Sequence, residues 1–179
     1  MDEVLGLEPD KKYYEKRVGK VQNLVSRWHL CIADVSVQGD VEKQIGTIIN
    51  FDQLSILKDI RENLPKMLGN KAEMNICEAS YYNDVSKCGV GWHGDINRKI
   101  VIGLRLGASM QICFNWFQRT SPVGKKFEAV LNHGDLYIMS EKTTGNDYRD
   151  AKKLTLRHSA GARKHCKVPP VKIQKKKNI

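Results

Sequence analysis

From Met74 onward the chain is written in short runs that alternate apolar and polar residues: NICEASYY, KIVIGLRL, MQICFNWF, FEAVLN, DLYIM and KLTLRH. Turn-forming clusters close the runs, among them GVG, RTSPVG, NHGD and TTGND. A period of two sends successive side chains to opposite faces of an extended backbone, so each run buries one face and wets the other. Such a series predicts antiparallel β structure and leaves little room for long helices in this half of the chain.

Upstream, Arg27 to Val37 and Gln44 to Ile49 are rich in β-branched and aromatic residues and read as a strand pair around a polar Gly-Asp turn. Between them and Met74 the period changes: Leu54, Leu57, Ile60, Leu64 and Leu68 recur at helical spacing. Asp52 is placed to cap that helix, Gly69 to stop it, and Pro65 to end or bend it early. The expected fold class is α+β, mainly β, with a cupin-like jelly-roll core flanked by N-terminal strands and a helix. An open sandwich fits the same periodicity.

A length of 179 residues suits one domain with short extensions. The expected division is a charged, aperiodic arm at 1–25, a domain at 26–167 and a basic tail at 168–179. Seven of the 30 Lys and Arg residues fall after position 162, where there is no acid; without them 23 face 20 Asp and Glu. The net charge of +10 is therefore largely C-terminal, and a basic end of this kind suits a polyanionic partner or a solvated tail. No apolar run approaches the ~20 residues of a membrane helix. The N-terminus places acids, then bases, where a secretory signal needs an apolar stretch, and the five cysteines contain no CxxC pair. Together these predict a soluble intracellular protein of the cytoplasm or nucleus, with reduced thiols and no membrane partner; oligomeric state stays open.

The stretch CGVGWHGD carries the chemistry. On an extended backbone His93 and Asp95 point to one side, so an imidazole and a carboxylate can converge on one ion. A third ligand must come from His29, His133, His158 or His165. Alternation in KLTLRH puts His158 on the face of Leu154 and Leu156, toward an apolar interior, whereas His133 sits in the NHGD turn. Two histidines and one carboxylate form the facial set associated with non-haem Fe(II), with coordination positions left open. His-x-Asp also occurs in chains that bind no metal.

The order YYNDVSKCGVGWHGD, RKIVIGLRLGASMQICF, LNHGDLYIMS and TLRHSAG, from about Tyr81 to Lys164, resembles the 2-oxoglutarate- and Fe(II)-dependent dioxygenases, specifically their AlkB-like branch. The resemblance implies a double-stranded β-helix, the jelly-roll variant of that superfamily. It implies that His93, Asp95 and His158 hold Fe(II), and that 2-oxoglutarate and O2 are co-substrates, with Arg163 or Lys164 meeting the distal carboxylate and Tyr82 beside it. Tyr82 reads equally as an aromatic core residue, and the two cations as the start of the solvated tail. A second register would set Leu154 to Arg157 on the family's arginine strand and put Tyr148 or Arg149 at the third ligand position. His158 is preferred because no other downstream histidine faces a predicted interior.

In this chemistry 2-oxoglutarate becomes succinate and carbon dioxide while a C–H bond is oxidised; at an N-methyl group the product loses formaldehyde. The AlkB-like resemblance and the positive charge point to nucleic acid as partner, with Trp92, Arg98 and Lys99 as a substrate-facing rim. Two other readings compete: hydroxylation of a protein side chain or small molecule by the same chemistry, and a basic nucleic-acid-binding module whose metal site is vestigial.

Overall fold

The computed structural model describes residues 2–150 and 152–170, so most of the expected basic tail, 171–179, lies outside the described residues. The protein is mainly β, with several sheets and a few helices. Its contacts form two compact units, Met1–Asn83 and Asp84–Ile179, a boundary unlike the division expected at 25 and 167.

The first unit contains α1 (Asp2–Leu5), β1 (Lys12–Glu15), β2 (Lys20–Asn23), β3 (Trp28–Ala33), β4 (Ile48–Asn50), α2 (Ser55–Leu68) and β5 (Cys77–Tyr81). The expected strand pair forms, but β3 and β4 run parallel, with Cys31 opposite Ile48. Antiparallel bridges Val37 to Ile48 and Asp40 to Ile45 fold the intervening chain back, which brings β4 alongside β3 in the same direction. On its other edge β3 pairs antiparallel with β5. Ile32, Phe51 and Leu54 form the centre of the core, with Leu7, Ile49, Leu57 and Cys77 against it.

Residues 2–25, expected as an arm, are tied into this unit. The Tyr81 hydroxyl donates to the Val4 carbonyl at 2.8 Å, and the Asp10 carboxylate accepts from the Thr47 N–H and hydroxyl at 2.8 and 2.7 Å. Asp52 does not cap α2. It lies in a 3-10 turn, Phe51–Gln53, and the Glu3 carboxylate accepts from the Leu57 N–H at 2.8 Å at the start of α2. An acid there satisfies donors that have no partner inside the helix and complements its positive end. Pro65 does not end α2, which runs three residues further until Gly69, at φ 81°, returns its N–H to the Pro65 carbonyl.

The second unit contains β6 (Gly89–His93), β7 (Val101–Leu104), β8 (Met110–Gln118), β9 (Ser121–Leu131), β10 (Leu136–Met139), α3 (Glu141–Thr144) and β11 (Leu154–Gly161). One antiparallel sheet has the order β6-β11-β8-β9, and β7 pairs antiparallel with β10 in another. The chain thus passes repeatedly between two sheets. RTSPVG is not all turn: β9 begins at Ser121 and runs through Pro122 and Gly124. β9 is the edge of its sheet, where a missing N–H need not cost a ladder bond, and the register shifts opposite Asn115. No helix among the described residues is long and apolar enough to cross a membrane.

Candidate metal centre

The antiparallel register of β6 and β11 places His158 directly opposite His93, on one face, with ring centroids 4.2 Å apart. β6 ends at His93, and the chain turns through Gly94 so that the Asp95 N–H donates to the Thr144 carbonyl at 2.8 Å. That turn needs a glycine. A Cβ at Gly94 would collide with the carbonyl oxygen of Gly145 and the ring of Tyr148, and Gly145, at φ 69°, closes the approach from the other side. Thr144, fully buried, shares its hydroxyl between the carbonyls of Glu141 at 2.7 Å and Arg98 at 3.0 Å, which fixes α3 beneath the loop.

Asp95 is thereby held between the two imidazoles. Its Oδ1 lies 3.8 Å from His93 Nε2 and its Oδ2 3.6 Å from His158 Nε2. One donor atom from each residue falls within 4.8 Å of the others. His93 Nδ1 lies 2.7 Å from the Gly91 carbonyl, to which it can only donate, so the neutral ring presents a bare Nε2 toward Asp95. His158 is buried, and its pKa is pushed down to about 4, first by loss of hydration and then by His93; Asp95 and the Thr143 backbone oppose this more weakly. Near neutral pH the ring is uncharged. The result is three lone-pair donors around one point, separated by more than a hydrogen bond. That arrangement suits a cation, and its mixed nitrogen and oxygen set with two imidazoles suits Fe(II).

The other histidines lie elsewhere. His29 is on β3 in the first unit, its backbone paired with Asp10; His133 Nδ1 accepts the Gly107 N–H at 2.9 Å; His165 Nε2 donates to the Lys87 carbonyl at 3.1 Å. The register with Tyr148 or Arg149 as ligand is not the one the strands adopt. The Tyr148 ring lies under the Arg157 guanidinium at 5.7 Å and beside that of Arg149 at 5.9 Å.

The remaining expected residues divide. Arg98 stands at the site, Nη1 3.9 Å from Asp95 Oδ2, and Lys99 is exposed beside it. Trp92 is not brought to the triad. One residue before His93, it points to the opposite face, with its ring centroid 5.5 Å from that of Phe117 and its Nε1 donating to the Lys167 carbonyl. Arg163 and Lys164 follow β11 in an exposed turn. Glu128, with which Arg163 interacts, opposes Cys113 on β8, and so lies on the Trp92 side of the sheet. Tyr82 belongs to the first unit, just after β5.

What sequence reasoning missed is a groove on the triad's face of the sheet. A cavity of about 360 Å³ is walled by Phe114, Trp116, Lys125, Phe127, Ile138 and Leu156. Phe114 opposes His158, with ring centroids 6.2 Å apart, and Phe127 opposes Phe114 at the same separation. The parity of β8, even-numbered residues with His158, was the available signal.

No family model matches the chain. A protein of Acanthamoeba polyphaga mimivirus, described only as uncharacterized, is 36% identical over 167 residues, which is 93% of this chain. The chain spans 64% of that relative's length.

Proposed function

We propose that the protein is an Fe(II)- and 2-oxoglutarate-dependent dioxygenase of the AlkB-like branch that oxidatively dealkylates nucleic-acid bases. The observation that carries this reading is the convergence of His93, Asp95 and His158 across the β6/β11 pair. A facial set of three protein ligands leaves positions for a bidentate co-substrate and dioxygen. The passage of the chain between β6-β11-β8-β9 and β7-β10 supports a double-stranded β-helix, since a double Greek key alternates sheets in this way.

His93, Asp95 and His158 would hold the iron, which when bound supplies C–H oxidation coupled to decarboxylation of the 2-oxo acid. The chain's own work is positioning. The Gly91 carbonyl holds the His93 tautomer, the Thr144 carbonyl aims Asp95, and burial keeps His158 unprotonated. Trp116 and Phe127, both partly exposed beside the triad, offer faces on which a displaced base can stack. Lys142, 5.5 Å from the Trp116 ring, adds positive charge at that edge. Trp92, facing the other way, takes a packing role in this reading. Intracellular action on nucleic acid accords with the basic balance of the chain.

The test is Fe(II)-dependent conversion of 2-oxoglutarate to succinate, with formaldehyde released from N-methylated oligonucleotides. We expect turnover to be lost in His93→Ala and kept in Trp92→Phe. Succinate formation that no oligonucleotide stimulates, but a peptide does, would move the substrate to protein. Absence of iron binding would end the oxygenase reading.

A further inference from the structure

Four cations stand near the triad or its sheet, and three are already engaged. Arg98 approaches Asp95; Lys142 pairs with Asp147 at 2.6 Å; Lys126 pairs with Glu128 at 2.5 Å, on the Trp92 side. Lys125 differs. It lies on the same side of β9 as Phe127, lines the groove, and makes no ion pair among the described residues. Around it the groove is apolar: Phe114, Trp116, Phe127, Ile138 and Leu156. A lone ammonium at the end of an apolar slot is a receptor for an anion carried on a short carbon chain, because few competing donors or waters surround it.

The slot also points the right way. From β11, which carries His158, to β9, which carries Lys125, there are two strand steps, or roughly 10 Å at about 4.8 Å per step. A lysine side chain reaching inward and a five-carbon diacid can share that span. At the other end of the groove its wall adjoins two triad members: Phe114 is opposite His158, and Thr143 precedes the residue whose carbonyl holds Asp95.

We infer that Lys125 anchors the distal carboxylate of the 2-oxo diacid, with Phe114, Ile138 and Leu156 enclosing its methylenes, in place of Arg163 or Lys164. This rests on the oxygenase reading. The inference assigns to β9 a function that the sequence places after β11.

Binding tests it without turnover. The full chain is titrated anaerobically with Fe(II) and then with 2-oxoglutarate, reading the visible charge-transfer band; pyruvate, which lacks the distal carboxylate, is titrated in parallel. A charge-assisted hydrogen bond predicts that Lys125→Ala weakens 2-oxoglutarate at least about tenfold. Pyruvate affinity should change by less than about twofold, Lys125→Arg should recover part of the loss, and Arg163→Ala and Lys164→Ala should bind as the wild type does. Melting temperatures equal to wild type exclude misfolding. If the wild type binds no Fe(II), the oxygenase reading falls and this inference with it. If Fe(II) binds and Lys125→Ala keeps full 2-oxoglutarate affinity, or loses pyruvate equally, only the assignment of Lys125 is overturned.

Discussion

The two faces of the β6-β11-β8-β9 sheet are built from the same strands, one residue out of step, and they differ in what they leave unsatisfied. On the face of Arg157, the side chains of Cys113, Asn115, Phe117, Thr155 and Ser159 are all at most 1% exposed. Arg157 lies over the Phe117 ring at 4.7 Å, and Trp92 packs on the same ring. On the face of His158, three metal-type donors meet without hydrogen bonds between them, and beside them Phe127 is 63% and Trp116 37% exposed. Burial of polar groups on one side and wetting of aromatics on the other invert the ordinary pattern. Apolar surface left in water next to convergent donors is surface kept for a ligand.

The largest effect that could break this contrast is on stability. Phe117→Ala should cost about 3–5 kcal/mol, since a fully buried ring leaves a cavity, while Phe127→Ala should stay within about 0.5 kcal/mol. Urea denaturation of both variants decides it. Equal losses would mean that the groove is packed core and not a binding surface.

Next in size is an acid effect specific to the triad's face. His158 has a folded pKa of about 4 against an ordinary 6.5, so the unfolded chain takes up this proton first as pH falls. Stability from this residue is complete above pH 6.5, declines between 6.5 and 4, and is flat below, for a total on the order of 3 kcal/mol in the metal-free protein. Thermal melts of the chelator-treated protein across that window should show the decline, and His158→Gln should flatten it. A wild-type curve no steeper than the variant's would place the imidazole in water.

Much of this face was legible in the sequence, for a physical reason. Period two is a local property, so MQICFNWF and KLTLRH could be assigned as strands and His158 given its side without knowing their partners. The same rule separates Trp92 from His93, and taking nearness in sequence for nearness in space obscured it. The groove was not legible, because Pro122 and Gly124 signal a turn, and only membership of an edge strand lets them continue β9 and carry Lys125 onto the sheet. Nor was the first unit's closure, in which Glu3 and Asp10 find partners on Leu57 and Thr47, since such pairings leave no periodic trace.

The smallest effect sharpens the contrast at the triad itself. Arg98 holds one guanidinium nitrogen 3.9 Å from Asp95 Oδ2, the oxygen that also faces His158. A cation entering the triad meets that positive charge, so Arg98→Gln should tighten Fe(II) binding. The side chain of Arg98 is 40% exposed and solvent-screened, which limits the gain to about 1 kcal/mol, or roughly fivefold. The turn should survive, because Thr144 holds the backbone carbonyl of Arg98 and not its side chain. Competitive metal titration of the two proteins reads the sign directly. Weaker iron binding in the variant would instead make Arg98 a positioning group for the carboxylate, and the same variant's weaker retention on single-stranded DNA would place it on the substrate rim as well.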